Sequence, residues 1–136
     1  MQNPPPVQTA KSSTGLDENI AALLAYIATW ITGLIFFLIE KESRFVRFHA
    51  MQAILLGASA FVVGIALWIV WAVLLIIVVQ ISDVLAMLVN LGLILLMVLF
   101  YLAFFIGLIL CLIKAYQKQY FKLPILGNFA EKFSAK

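Results

Sequence analysis

Charged residues are scarce in this chain and are absent from its three longest apolar runs. Only 11% of the 136 residues are Asp, Glu, Lys or Arg, while 65% are hydrophobic. The runs cover residues 20–39, 53–79 and 84–113 and contain no Asp, Glu, Lys, Arg or His. Soluble proteins average about 45–50% apolar residues, and about 20 consecutive apolar residues cross a bilayer. The composition therefore excludes a soluble domain and predicts an integral membrane protein.

Reactive side chains are equally scarce. The one cysteine, Cys111, excludes an internal disulfide framework. The one histidine, His49, has no second metal ligand at helical spacing, and no HExxH, GxSxG or phosphate-loop motif occurs. Proton relays and ion-coupled pumps usually keep ionisable residues inside the membrane, and the apolar runs have none. We therefore predict no enzyme, no cofactor, and no catalytic, cofactor-binding or metal-binding residue.

The hydrophobic pattern predicts an all-α, polytopic membrane protein, a bundle of three transmembrane helices. A disordered tail is expected over residues 1–15, which hold a proline triplet and no periodicity. Residues 16–133 form the helical transmembrane domain, which includes most of a basic, aromatic C-terminal segment, 114–136. At 1.5 Å per residue the second and third runs reach roughly 40 and 45 Å, against a hydrocarbon core of about 30 Å. These helices are therefore expected to tilt steeply or to bend into the interface around residues 73–93, and a fourth span between them is the further alternative.

Lysine and arginine positions predict the orientation. One of the nine, Lys11, precedes the first run, three lie in the turn after it, and five follow the last run. With three spans, the positive-inside rule places the charged turn and the C-terminus in the cytoplasm and the N-terminus outside the cell (inner) membrane. Within the turn, Ser43 is predicted to cap the next helix, and Arg44 to pair with Glu40. The formal charge of +3 indicates contact with anionic lipid headgroups at the cytoplasmic face, and not a nucleic-acid partner.

Small residues recur at helical spacing inside the apolar runs. Such residues let membrane helices approach closely. The predicted helix-packing positions in the second and third runs are Ala53, Gly57, Ala60, Gly64, Ala103 and Gly107. Asn90 is predicted to make a helix–helix hydrogen bond, the alternative being that it lines a polar path.

The stretch "LDENIAALLAYIATWITGLIFFLIEKESRFVRFHAMQAILL", two apolar runs and "AYQKQYFKLPILGNFAEK" carry a resemblance over residues 16–133. The chain resembles a family of small uncharacterised prokaryotic membrane proteins that is distantly similar to the channel-forming translocon subunit of the chloroplast inner envelope. The specific parts are "ESRFVRFHAMQ" and "KLPILG". The resemblance implies a fold and a membrane location.

The family signature "FVRFHAMQ" suggests an interaction surface for a partner or a lipid headgroup. Its predicted members are Arg44, Phe45, Arg47, Phe48, His49 and Gln52. The alternative is an interfacial anchor, in which arginines reach phosphates and His49 and Gln52 hydrogen-bond to a neighbouring helix end.

These features predict a non-enzymatic membrane scaffold or assembly factor, linked to protein insertion or translocation. Its expected partners are another membrane protein or further copies of the chain. The alternative is a subunit of an oligomeric channel or transporter. A channel needs a polar stripe, for which the spans offer only Thr29, Thr32, Ser59 and Asn90.

Overall fold

The computed structural model describes residues 11–134, and its named elements are five helices. They are α1 (Glu18–Ile27), α2 (Trp30–Ile39), α3 (Arg44–Val79), α4 (Asp83–Tyr116) and α5 (Leu126–Ser134). The predicted all-α class is confirmed. Residues 1–10 of the predicted disordered tail, and residues 135–136, lie outside the described range.

The first apolar run is not one helix, which differs from the predicted three-span bundle. It breaks at Ala28–Thr29, where Thr29 takes a φ of +48°, a costly backbone conformation for a β-branched residue. The Thr32 hydroxyl stabilises the break by accepting from Ala28 N (3.0 Å) and donating to Ala25 O (2.9 Å). Within residues 11–134, two helices are long and apolar enough to cross a membrane, α3 and α4.

Helices α1 and α2 form an antiparallel hairpin. The start of α1 lies at the end of α2, since the Ser43 hydroxyl donates to the Glu18 carboxylate and Ser13 N donates to Glu40 (3.0 Å). The first apolar run thus returns to the end at which it starts. These hydrogen bonds place residues 11–18 beside the charged turn, whereas the predicted orientation separates them across the membrane.

Residues 11–17 form a hydrogen-bonded turn, although the sequence predicts disorder up to residue 15. Lys11 and Asp17 pair in an antiparallel bridge, and Ser12 N donates to Leu16 O at 2.8 Å. Gly15 supplies the positive φ, +83°, that the turn requires. The turn is ordered because the buried Glu40 carboxylate accepts the N–H and O–H of Ser13.

The chain divides into two compact units. The terminal unit contains residues up to 57 and from 108 onward, and the central unit contains residues 58–107. The core of the terminal unit is built on Ala21, Ala22, Tyr26, Phe45, Val46, Ala53, Cys111 and Ala115. Small alanines in α1 let its backbone approach α3 and α4 closely.

The central unit consists of segments of α3 and α4 joined by residues 80–82. Trp71 Nε1 donates to Asn90 Oδ1 at 3.1 Å, so the predicted helix–helix hydrogen bond of Asn90 is confirmed. Residues 73–79 continue α3 and 83–93 begin α4. The alternative fourth span therefore does not form.

Candidate functional site

The signature segment begins α3 and turns its polar side chains into the terminal unit. Ser43 is the predicted N-cap, confirmed by its hydroxyl accepting from Val46 N at 3.2 Å. Phe45, His49 and Gln52 share one helix face because they are spaced by four and three residues. His49 and Gln52 are fully buried there.

His49 joins α1 to the segment that follows α4. Its Nε2 lies 2.9 Å from Gln119 O, and its Nδ1 lies 2.9 Å from the Tyr26 hydroxyl. Since a carbonyl oxygen can only accept, we assign the ring proton to Nε2. Tyr26 then donates to Nδ1, and the ring is neutral with both nitrogens paired.

Gln52 extends this arrangement with its side-chain amide. Its Nε2 donates to the Tyr26 hydroxyl (3.0 Å) and to Phe121 O (2.9 Å), and its Oε1 accepts from Leu123 N (3.2 Å). A contact of 3.4 Å to Cys111 Sγ is the longest of the set. We call Tyr26, His49, Gln52 and Cys111 the polar cluster. It attaches residues 119–123 to α1, α3 and α4.

The polar cluster is satisfied within the chain. Across residues 11–134, no buried side-chain nitrogen or oxygen lacks a hydrogen-bond partner. The same range contains no group of three or more His, Cys, Asp or Glu that could hold a metal ion. All four side chains are fully buried, and the arrangement can hold elements together.

Arg47 also joins two elements, because it binds the end of α2 from α3. Its NH1 group donates to Phe37 O (3.3 Å) and Glu40 O (2.7 Å), and its guanidinium lies 4.4 Å from the Phe37 ring centroid. A cation at the last carbonyls of a helix is also favoured by the helix dipole. Arg47 therefore anchors the hairpin to α3.

Glu40 is the second buried polar centre of the terminal unit. Its carboxylate accepts from Ser13 N and Oγ, Glu42 N and Ser43 N at 2.7–3.0 Å. Burial by itself raises the pKa of this carboxyl, but the donors of Ser43, Ser13 and Glu42 together lower it below the ordinary value of 4.5. The predicted Glu40–Arg44 pair is wrong, since these donors occupy the carboxylate.

The predicted interaction surface is mostly interior. Of its six residues Arg44 is exposed and Arg47 half-buried, while the buried members are Phe45, Phe48, His49 and Gln52. Arg44 and, in part, Arg47 therefore remain accessible from outside the terminal unit.

The small residues have unequal surroundings. A Cβ on Gly57 would lie 2.7 Å from Thr29 Oγ1 and 2.8 Å from Trp30 N, so α3 meets the break in the hairpin there. A Cβ on Gly64 would meet only the Tyr101 hydroxyl, at 3.2 Å. Ala53 is buried, Ala60 and Gly107 are half-buried, and Ala103 is exposed.

Several essential groups have no motif that sequence reasoning could detect. Tyr26 sits in an apolar helix, and the acceptors from Gln119 and Phe121 are backbone carbonyls. The motif "KLPILG" is the sequence signal that points to this region. Leu123 N donates to Gln52 Oε1, and a Cβ on Gly127 would lie 2.5 Å from Lys122 Cβ. That glycine allows a turn in which α5 starts against the preceding chain.

Comparison with known proteins gives one family. The model of the magnetosome magnetite crystal formation protein family matches residues 16–130. A UPF0132 membrane protein of Methanocaldococcus jannaschii is 41% identical over 91% of this chain and 94% of its own length. One from Archaeoglobus fulgidus is 36% identical over 86% of this chain and 95% of its own length. No solved structure gives a significant match.

These relatives support the predicted resemblance to a small prokaryotic membrane family. They give no support to the further similarity with the chloroplast translocon subunit, on which the predicted link to translocation rested. The match covers the hairpin, both long helices and most of α5. The chain belongs to the magnetosome magnetite crystal formation protein family, alongside UPF0132 membrane proteins.

Proposed function

We propose that this protein is a non-enzymatic membrane scaffold whose terminal unit presents a rigid surface to an assembly partner. The observation that carries the proposal is the polar cluster, in which buried His49 and Gln52 bind the chain's own backbone. A fully paired polar network rigidifies and specifies one arrangement of its elements. Rigidity of the C-terminal segment is what a scaffold requires.

We further propose a topology of two membrane crossings with one re-entrant hairpin. Helices α3 and α4 each cross once, while α1 and α2, ten residues each, rise only roughly 15 Å and return. The eight Lys and Arg residues within 11–134 then lie on the side of the charged turn and the C-terminal segment. The positive-inside rule favours the cytoplasm for that side, and with it the N-terminal segment.

The family description names magnetosome magnetite crystal formation, and a membrane scaffold is compatible with such a process. Residues 11–134 contain no group of three or more His, Cys, Asp or Glu that could hold a metal ion, so the proposed role is based on the polar cluster and not on mineral or iron binding.

Site-specific photo-crosslinking in native membranes tests the scaffold role. A crosslinker replaces Phe129, exposed on α5, and a matched one replaces Leu88, exposed on α4 in the central unit. We expect the α5 position to give one reproducible protein adduct and the Leu88 position to give lipid adducts. Lipid adducts alone from both positions contradict the proposal.

Ion flux from reconstituted liposomes tests the channel alternative. Two polar side chains on which a pore would rely are engaged inside the chain, Thr32 with Ala25 O and Asn90 with Trp71. We expect flux equal to that of empty liposomes. Flux that scales with protein content would favour the channel over the scaffold.

A further inference from the structure

A pocket with both polar and apolar lining lies beside the first turn of α3, within the terminal unit. Its volume is about 330 Å³, and its lining consists of Arg44, Phe48, Tyr120, Lys122, Glu131 and Ser134. We call it the Arg44 pocket. Neither the polar cluster nor the proposed scaffold role uses it.

The charges of the Arg44 pocket favour an anion. Two of its side chains are cationic and one is a carboxylate, with Lys122 Nζ paired to Glu131. Arg44 is exposed and is the first residue of α3, where the helix dipole adds positive potential. A guanidinium offers a planar fork that matches the oxygens of phosphate.

The Tyr120 hydroxyl adds a hydrogen-bond donor to the lining, and the Phe48 ring adds apolar surface. Partial burial, and then the Glu18 carboxylate, raise the pKa of Tyr120, while Arg44 opposes them. The Tyr120 phenol therefore remains a neutral hydrogen-bond donor at physiological pH. Phe48 is buried and its ring centroid lies 5.4 Å from that of Tyr120, so the pocket offers an apolar contact to the neck of a ligand.

We propose that the Arg44 pocket binds a phosphate group, of the kind that anionic lipid headgroups carry. Arg44 grips two phosphate oxygens, Tyr120 donates to a third, and Lys122 exchanges its Glu131 partner for the ligand. The Glu131 carboxylate repels a phosphate and pairs with Lys122, so a ligand binds only by displacing Glu131 from Lys122. This site goes beyond the scaffold role and does not depend on it.

Native mass spectrometry of the full-length protein in detergent tests the proposal. The probes are phosphatidylglycerol, diacylglycerol with the same acyl chains but no phosphate, and inorganic phosphate as competitor. We expect the protein to bind phosphatidylglycerol in preference to diacylglycerol. Displacement by inorganic phosphate at millimolar concentration would support a site for free phosphate, while no displacement supports the lipid headgroup.

Four variants separate a defined site from diffuse attraction. Arg44→Gln should weaken binding roughly fivefold or more, and Arg44→Lys should weaken it too because the fork is lost. Glu131→Gln should tighten binding, a gain that misfolding cannot produce. Lys132→Gln removes the same charge from α5 outside the pocket and should change binding less than Arg44→Gln. Equal losses for Arg44→Gln and Lys132→Gln, or no gain for Glu131→Gln, would overturn the proposal.

Discussion

Glu40 has no contact with solvent, and such burial of a carboxylate is costly unless its charge is satisfied. The N–H and O–H donors of Ser13, Glu42 and Ser43 satisfy it. This one side chain therefore holds three segments together: the N-terminal turn, the end of α2 and the start of α3.

The first prediction is a pH-dependent effect of Glu40→Gln. The folded-state pKa of Glu40 lies below its ordinary value of 4.5, so its stabilisation is complete above that pH and is lost as pH falls through the folded pKa. At neutral pH the variant should lose about 1.5–3 kcal/mol, the worth of hydrogen bonds to a charged group. Thermal unfolding in detergent from pH 7 to pH 3 measures the difference.

Glu42→Gln is the matched control, since the Glu42 side chain is exposed. It should show little change at any pH. A Glu40→Gln deficit that stays constant down to pH 3 would contradict the assigned role of the carboxylate charge.

Gln52 has the largest set of partners in the polar cluster, and its replacement is the second prediction. Gln52→Leu leaves Phe121 O and Leu123 N without their partners, at a cost on the order of 1–3 kcal/mol for each buried group. The segment after α4 should then detach, and trypsin should cleave faster after Lys118 and Lys122. Gln80→Leu makes the same chemical change at an exposed position and should leave the digestion rate unchanged.

Detachment of that segment would favour the interpretation of the signature as an anchor, in which His49 and Gln52 hydrogen-bond to a neighbouring part of the chain, over its interpretation as an interaction surface. If Gln52→Leu and the wild type are digested at the same rate, the polar cluster does not hold the C-terminal segment.

At the scale of elements, the break between α1 and α2 and Gly57 of α3 depend on each other. Thr29 at φ +48° needs the Thr32 hydroxyl to satisfy nearby backbone groups. Gly57 lets the α3 backbone come within contact of Thr29 and Trp30. Close backbone approach over small residues is the main source of helix association in lipid.

The third prediction is that Gly57→Ala destabilises the hairpin, although alanine is the better helix former. Its Cβ would meet Trp30 N at 2.8 Å, and an overpacked site of this kind costs about 1–3 kcal/mol. Gly92→Ala is the control, since its Cβ would meet nothing within 4 Å. Trp30 fluorescence and thermal unfolding in detergent should report a loss for Gly57→Ala alone.

The stability of Gly64→Ala should lie between that of Gly57→Ala and that of Gly92→Ala. Its Cβ would meet the Tyr101 hydroxyl at 3.2 Å, which is the end of a side chain that can shift. Equal stability for Gly57→Ala and Gly92→Ala would refute the close contact between α3 and the hairpin.

At the scale of the whole molecule, the proposed topology depends on the hairpin. Ser13 and Glu40 lie in one hydrogen-bonded group, and His49 binds Gln119 O. The N-terminal turn, the charged turn and the C-terminal segment therefore lie together, and the proposed topology places them on one side of the membrane.

The fourth prediction follows for single cysteines labelled in intact cells in a Cys111→Ser background. Cysteines at positions 9 and 134 should both be protected from an impermeant thiol reagent. A cysteine at position 82, between α3 and α4, should react. Labelling at 9 with protection at 134 would restore the topology of three spans with an external N-terminus.

The sequence by itself was enough to determine the membrane class, the helical content and the helix break around residues 80–82. Each of these depends on local composition: long uncharged runs, and polar residues where a run ends. The N-cap at Ser43 and a helix–helix hydrogen bond of Asn90, though not its partner Trp71, were also predictable, because cap chemistry and the need to pair a polar group in lipid are local rules.

Only the tertiary structure decided that residues 20–39 form a hairpin and not a span. No proline or glycine marks the break at Ala28–Thr29, and a run of 20 apolar residues satisfies the length rule whichever way it folds. What selects the hairpin is distant in sequence: Gly57 opposite Thr29, Ser13 on Glu40, and Arg47 on the end of α2. The same holds for the signature, whose His49 and Gln52 are turned inward by backbone partners about 70 residues away. Backbone carbonyls leave no mark in a sequence, so an apparent interaction surface became the inside of the terminal unit.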